Sequence, residues 1–542
     1  MKRYLFLISV AILALTACSG GKTITSISNS DNIEEAIIYP TKPYSDSDHI
    51  MQKDPYAFYN IAGNDTRYWG AANTHDPAII KEGDTYYAFS TDANFGVTSQ
   101  KGIHIRKSND LIKWSFVGTA LDVTTLEDQI EYIGYNRDGE KVDFFWAPDI
   151  IKRGNEFWLF YSISGFGQHN SMMGLAKSNN IEGPYTFDKE ILRTSQSVGG
   201  TPNAIDSAIF VEEVDGEEKM YMSYGSWSAG IYIIELDPVT GYPLIAQTLV
   251  EREVTVNTAE KGVTATATKL VPSSSDDPAF GTKILSITSS EAPYIIKENG
   301  YYYLFITNGV DLTYDYDVRV FRSRNILGPY VDGKGVSALS ATNYNSFRPY
   351  GNKVTIAHQF TYLTDDISYK RGWAGIGHST AFKDEEQWFF ASHYRGTYMD
   401  CHRFFLGIWK MHFVNDWPVI EPNRYTGEGS INLEQADISG NYRIQILHQS
   451  AVNSMLTDDI ISIVNRAEEI TLTKQKAGEW YVVNGEYNGR YRLNNNQLEL
   501  ELNGVLYKGV ITPQFNYEFE KGVLGLSLIN SDGTALWGNR II

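Results

Sequence analysis

Cysteine is almost missing from this chain. Cys18 and Cys401 are the two in 542 residues, and once Cys18 is consumed by the N-terminal processing described below, no intrachain disulfide can form. Cys401 lies between Asp400 and His402, which invites a nucleophile. In a strand neither neighbour need face it, and a small residue packed at a strand edge is the better reading. Positive charge is scarce as well: 46 Lys and Arg stand against 65 Asp and Glu, for a net charge of −19. Such a chain repels nucleic acid and other polyanions, so a neutral polysaccharide is compatible as a partner and polygalacturonate is disfavoured. Long apolar runs are absent too. The run at residues 4–13 is too short and too close to the N-terminus to be a spanning helix of the mature protein. No long amphipathic helix pattern occurs anywhere, and the chain reads as all-β.

Aromatic residues are abundant, at 13% with 36 Tyr, and they recur in a pattern. His75-Asp76-Pro77-Ala78-Ile79-Ile80-Lys81 returns four times in altered form. The later copies are Ala147-Pro148-Asp149-Ile150-Ile151-Lys152, Ile205-Asp206-Ser207-Ala208-Ile209-Phe210-Val211, Glu291-Ala292-Pro293-Tyr294-Ile295-Ile296-Lys297 and Gly377-His378-Ser379-Thr380-Ala381-Phe382-Lys383. A polar turn follows each copy, then an aromatic strand such as Tyr86-Tyr87-Ala88-Phe89-Ser90 or Tyr301-Tyr302-Tyr303-Leu304-Phe305. Five such hairpins predict a five-bladed β-propeller, in which the first strand of each blade lines a central channel.

The register sharpens this expectation. Aligned on the residue that closes each apolar run (Lys81, Lys152, Val211, Lys297, Lys383), Asp76, Asp206 and His378 share one column. Glu291 falls one residue earlier and Asp149 two later. A single Asp at a strand start commonly caps a turn; five ionisable residues at matching blade openings are better explained as one convergent site. The openings at 76, 149, 206, 291 and 378 are 73, 57, 85 and 87 residues apart. The two longest gaps should therefore hold the insertions that shape a cleft. Val271-Pro272-Ser273-Ser274-Ser275-Asp276-Asp277-Pro278 reads as one surface loop, and Asp110-Leu111-Ile112-Lys113-Trp114 as an outer strand of the first blade.

Three carboxylates in one pocket suit glycoside hydrolysis. In the inverting mechanism one carboxylate activates water and a carboxylic acid about 6.5–9.5 Å away protonates the leaving oxygen. An ionised neighbour keeps that acid protonated, because two like charges in one site are disfavoured. The motifs His75-Asp76-Pro77, Trp146-Ala147-Pro148-Asp149, Asn203-Ala204-Ile205-Asp206, Ser290-Glu291-Ala292-Pro293-Tyr294 and Gly377-His378 occur in this order. Together, over roughly residues 70–425, they resemble glycoside hydrolase family 43, and within it the endo-α-1,5-L-arabinanases. The resemblance implies Asp76 as general base, Glu291 as general acid and Asp206 as modulator of the acid's pKa and orienter. It also implies a calcium ion, largely hydrated, held at the channel centre by His378. Asp149 matches a pocket position and, with Asn203, Ser226 and Trp227, is expected to contact substrate. Tyr224-Gly225-Ser226-Trp227 resembles the stretch that lines the sugar cleft, where Trp227 would either stack on an arabinofuranose or pack within its blade. One departure is Ser207, where family members often have Pro.

The implied activity is inverting endo-hydrolysis of arabinan to arabino-oligosaccharides. An exo-acting α-L-arabinofuranosidase or β-xylosidase on the same fold is an alternative. So is a non-catalytic glycan-binding lipoprotein, which would require the loss of Asp76 or Glu291; both are present. At the N-terminus, Lys2 and Arg3 precede the apolar run, and Leu15-Thr16-Ala17-Cys18 resembles a bacterial lipobox. This implies a signal peptide over residues 1–17, lipidation of Cys18 and a cell-envelope protein that meets the membrane only through its lipid. Residues 18–50 read as a polar tether, residues 51–425 as the propeller, and residues 430–542 as a small antiparallel β-barrel. The barrel reading rests on alternating strands such as Gln497-Leu498-Glu499-Leu500-Glu501-Leu502 between Gly and Asn turns. The protein is expected to act as a monomer.

Overall fold

The structure, a computed structural model, describes residues 36–41, 65–93, 100–311, 313–340, 350–361, 372–396, 404–434, 436–449, 465–474, 480–494 and 497–541. Cys18, the leader, most of the expected tether and Cys401 lie outside the described residues. The described chain is overwhelmingly β-structure, and its longest helix is the seven-residue Glu127–Ile133. Among the described residues no helix is long and apolar enough to cross a membrane.

Each of the five repeats forms an antiparallel hairpin. The pairs are Ala78–Glu82 with Thr85–Ser90, Phe145–Arg153 with Glu156–Ile163, Ala208–Val214 with Glu217–Tyr224, Ser290–Glu298 with Tyr301–Asn308, and Trp373–Asp384 with Gln387–Gly396. Two-residue turns join them. Such turns need left-handed backbone, and Gly83, Gly154, Gly216 and Gly300 supply it in the first four repeats. The first three repeats each belong to a separate four-stranded sheet, whereas the fourth and fifth share one larger sheet. The first strands touch in cyclic order, and the fifth returns to the first.

The packing follows the same cycle. Apolar residues of consecutive repeats interdigitate in five clusters. Phe89 meets Leu159, Phe160 meets Met222, Ile233 meets Leu304 and Phe305 meets Phe390, and Ala88 with Trp114 meets Phe389 and Leu406 to close the ring. The strand-closing column explains itself at the far end of the hairpins. Lys81, Lys152, Lys297 and Lys383 reach Asp384, Glu82, Glu212 and Glu298 of the preceding repeat, at 2.6, 2.7, 2.6 and 4.0 Å. Val211 breaks this ion-pair ring, and there Arg153 reaches forward to Glu218 instead. Exposed pairs of this kind contribute little stability individually, but each bridges two repeats.

Two local expectations are corrected. Asp110-Leu111-Ile112-Lys113-Trp114 is a turn between His104–Ser108 and Ser115–Thr119 rather than a strand. Asp110 Oδ1 accepts the amides of Ile112 and Lys113 (2.9 and 2.8 Å) while Leu111 and Trp114 are buried. Val271 and Pro272 belong to a strand, not a loop: Thr264–Pro272 pairs with Leu249–Asn257 in a long hairpin. That hairpin reaches an insertion of another repeat. Lys269 Nζ donates to the Glu131 carbonyl (2.8 Å), Asn257 Nδ2 to that of Tyr135 (3.1 Å), and the Gly262 amide to that of Arg137 (3.0 Å). Val254 and Val271 pack on Val198, in the connection that leads to Asp206.

The ring ends with Trp417–Ile420, and a closed eight-stranded barrel runs from Gly440 to Ile541. Its interior holds Tyr442, Leu498, Leu500, Leu526 and Leu536. Buried polar contacts dock it on the ring. Trp537 Nε1 donates to the Ile420 carbonyl (3.0 Å), Asn423 Nδ2 to Gln514 (2.7 Å) and Asn539 (2.6 Å), and Glu518 accepts the amides of Phe360 and Thr361 (2.8 Å each). Part of the expected tether is not free chain. Ile37–Ile38 pairs antiparallel with Ser430–Ile431, and Tyr39 packs on the barrel core. The Ile37-Ile38-Tyr39 trio is apolar, and the barrel offers it a surface.

Candidate active site

The aligned column has one backbone property in every repeat. Asp76, Ala147, Asp206, Ala292 and His378 all have positive φ, at 52°, 43°, 61°, 53° and 47°. Left-handed backbone costs a non-glycine residue about 1–3 kcal/mol and persists only where the surroundings fix it. Here side chains of the preceding repeat supply the fixing. The Asp76 amide donates to His393 Nδ1 (3.1 Å), Ala147 to Thr91 Oγ1 (2.9 Å), Ala292 to Asp206 Oδ2 (3.0 Å) and His378 to Thr307 Oγ1 (2.8 Å). The ladder register shifts beside this column in the second, fourth and fifth repeats, as a bulge requires. A bulge at a strand start re-aims the side chain there, which in the fifth repeat is His378; in the first and third repeats the same left-handed position carries Asp76 and Asp206 with no register shift in the ladder.

Four of the predicted residues come together. Asp76 Oδ1 lies 3.0 Å from His378 Nδ1 and 3.5 Å from His393 Nδ1. Its Oδ2 accepts from Thr91 Oγ1 at 2.5 Å. Asp206 and His378 influence each other's titration, and the Asp206 charge raises that of Glu291. Glu291 is held at both oxygens: Tyr316 Oη donates to Oε1 (2.6 Å) and Ser226 Oγ to Oε2 (3.3 Å). Asp206 is 6% exposed, whereas the side chains of Asp76 and His378 keep 17% and 13% of their surface open to solvent.

The electrostatics separate these groups. Burial pushes the Asp76 carboxyl up, but the imidazoles of His378 and His393 outweigh it and hold Asp76 well below the usual carboxylate range. Burial and the neighbouring Asp206 charge push Glu291 up to about 8, against the hydrogen bond from Tyr316. Asp206 rises to about 6, by burial and Asp76, with His378 opposing. His378 is pushed down by burial yet rises to about 9, because Asp76 and Asp206 stabilise its cation. At neutral pH one carboxylate is therefore ionised and one carboxyl protonated within a single cluster, which is the arrangement general acid–base chemistry needs.

The remaining predicted residues fall around this cluster. Trp227 is half-buried, and its amide donates to the Ser290 carbonyl (3.0 Å), one residue from Glu291. Asn203 is buried, with Oδ1 accepting from Ser171 Oγ (2.7 Å), and it supports the turn that carries Asp206. Asp149 is corrected. It sits two residues past the bulge, and its oxygens accept the amides of Ile150 (2.9 Å) and Ile209 (2.6 Å), so it staples the second repeat to the third rather than facing a ligand. Tyr316, His393 and Thr91 were not foreseen. His393 had a visible signal, as an imidazole near the end of an aromatic-rich strand; Tyr316 and Thr91 had none.

A cation fits this site only narrowly. The Nδ1 side of His378 faces Asp76, which leaves Nε2 as the ligating atom, the arrangement of a carboxylate–histidine–metal triad. Among the described residues no three His, Cys, Asp or Glu side chains converge with metal-holding geometry. An ion there would have one protein ligand and complete its shell with water, which suits calcium better than zinc.

The extracellular endo-alpha-(1->5)-L-arabinanase 2 of Bacillus subtilis is 29% identical over 505 residues, 86% of this chain and 93% of that protein. The extracellular endo-alpha-(1->5)-L-arabinanase of Thermotoga petrophila is 28% identical over 510 residues, 87% of this chain and 94% of that protein. The crystal structure of endo-1,5-alpha-L-arabinanase from Thermotoga petrophila RKU-1 superposes with a TM-score of 0.69 at 27% identity, over 87% of this chain and 99% of that one. Residues 422–538 match a C-terminal lipocalin-like domain. Residues 70–418 match the glycosyl hydrolases of family 43, and the chain belongs to that family.

Proposed function

We propose that the five repeats are the blades of one five-bladed β-propeller, and that the cluster at their openings hydrolyses α-1,5-linked L-arabinan within the chain, with inversion. The observation that carries this reading is the opposed titration of Asp76 and Glu291 in one cluster, in a chain whose relatives over nearly their full length are named as endo-arabinanases. Asp76, ionised and partly exposed, takes a proton from the attacking water. Glu291, protonated at neutral pH, gives its proton to the glycosidic oxygen. Asp206 keeps Glu291 protonated and holds the Ala292 amide that fixes the backbone beside it. Trp227, next to the acid, offers a stacking face for a furanose ring. The clasped insertions beside Asp206 form one flank of the cleft.

Calcium bound through His378 Nε2 would add positive charge near the carboxylates and favour their ionised forms. Lipidation at Cys18 would keep the enzyme on the cell envelope, where a polymer too large for import is cut.

The test is digestion of linear 1,5-arabinan. The reading expects a rapid fall in viscosity and a spread of short oligosaccharides in the first minutes. Arabinose alone, with viscosity nearly unchanged, would replace it with exo action.

A further inference from the structure

We propose that Tyr316 is a positioning residue that assigns the transferable proton of Glu291 to one oxygen, Oε2. This rests on Glu291 being the acid. Tyr316 is 1% exposed and its hydroxyl donates to Glu291 Oε1 at 2.6 Å. No other group among the described residues takes that hydrogen bond, so Oε1 is the firmly held acceptor; Oε2 has only the longer contact with Ser226, a hydroxyl that can turn to accept as well as donate, and the carboxyl hydrogen is left there. That oxygen is the one beside Ser226 Oγ, at 3.3 Å.

The phenol cannot swing away from this duty. Its ring stacks on His393, with centroids 5.6 Å apart and planes 7° from parallel. On another side it lies against Gly377, where a Cβ would come within 2.1 Å of Tyr316 Cε1. Glycine before His378 is therefore what admits the ring. The stacking partner is in turn tied to the base, since His393 Nδ1 accepts the Asp76 amide. One buried ring pair thus fixes both the acid's side chain and the base's backbone.

The consequence for the reaction is specific. The proton on Oε2 passes to the glycosidic oxygen, the bond from that oxygen to the anomeric carbon breaks with its electron pair staying on oxygen, and water attacks the anomeric carbon as its proton passes to Asp76. Tyr316 keeps its own proton throughout. As Glu291 becomes a carboxylate, the hydrogen bond at Oε1 changes from neutral to charge-assisted and strengthens. An interaction stronger in the transition state than in the ground state raises kcat rather than lowering KM.

Tyr316→Phe and Glu291→Gln are compared on two substrates with the same arabino-oligosaccharide glycone. One has a sugar leaving group; the other has 4-nitrophenol, which departs without a proton. Tyr316→Phe should lower kcat on the sugar substrate about ten-fold, with KM unchanged, and leave the nitrophenyl substrate within about two-fold of wild type, while thermal unfolding shows the fold intact. An equal loss on both substrates, or no loss on either, overturns the assignment. If Glu291→Gln itself loses both substrates equally, or neither, the acid reading has failed instead. Should Tyr316→Phe not fold, 4-fluorophenylalanine at position 316 fills the hydroxyl's space without donating and is held to the same outcomes.

Discussion

Replacing Glu291 with glutamine removes one proton and little else. Below about pH 8 the native side chain is a neutral carboxyl, so the amide matches it in charge as well as shape. Tyr316 can still donate to the remaining oxygen and Ser226 still has a neighbour. Asp76 and Asp206 therefore keep the electrostatic surroundings they have in the wild type near neutrality. Only the proton for the leaving oxygen is lost. General acid catalysis contributes about 10²–10⁴-fold, or roughly 3–5 kcal/mol of barrier. The assay is kcat/KM on a linear arabino-oligosaccharide across pH 4–10. Wild type should show a basic limb near pH 8, where Glu291 gives up its proton, and an acidic limb set by Asp206 and Asp76. The variant should fall by about three orders of magnitude at pH 7, lose the basic limb, and keep the acidic limb where it was. A variant within ten-fold of wild type, or one with the basic limb still present, would refute the assignment of the acid.

Asp206→Asn should move the wild-type basic limb to lower pH, because removing the negative neighbour leaves Glu291 easier to ionise; an unmoved limb would count against its role as modulator. Exhaustive chelation, followed by metal analysis, should strip one divalent ion and lower activity, with calcium restoring it; a protein that holds no ion after purification in calcium and ignores chelator would remove the metal from the account. Asp149→Asn tests the staple. Glutamine's shorter relative puts an amide donor against one of two backbone donors, for a loss of about 1–3 kcal/mol. The pKa of Asp149 rises to about 7 in the fold, through burial and against its two amide bonds, so its contribution is fullest below about pH 4 and is lost as pH climbs through 7. That loss is roughly 4 kcal/mol. In urea unfolding the variant should trail wild type clearly at pH 5 and draw level with or pass it at pH 8; a gap that does not change with pH would refute the burial argument.

Much of this site could be read in the chain because a repeat carries its geometry in its register. The column of Asp76, Asp206 and His378 is the column of left-handed residues, and the lysines that close four of the five apolar runs each pair with a carboxylate of the preceding repeat. What escaped has a physical cause in each case. Asp149 looked like a member of the cluster, but a two-residue offset across a bulge sends it between repeats. Tyr316 lies just before Asp317–Ser323, the third strand of the repeat that Glu291 opens, and meets Glu291 across that sheet from 25 residues away, a contact no local pattern encodes. The hairpin Leu249–Asn257/Thr264–Pro272 is largely exposed on both faces, so its alternation carries little signal and its Ser, Pro and Asp end dominated the reading. Residues 36–41 were absorbed into a polar segment although Ile37, Ile38 and Tyr39 had a barrel to pack on.

The central claim is that Asp76 and Glu291 act together in a single displacement, one as base toward water and the other as acid toward the leaving sugar. The anomeric configuration of the first product tests it most directly. Proton NMR of an arabino-oligosaccharide digest, recorded within the first minutes and before mutarotation, should show the new reducing end as the β-anomer, inverted from the α-linkage. A new reducing end that appears first as the α-anomer would mean a covalent glycosyl-enzyme intermediate and two displacements, and would contradict the roles assigned to both carboxylates.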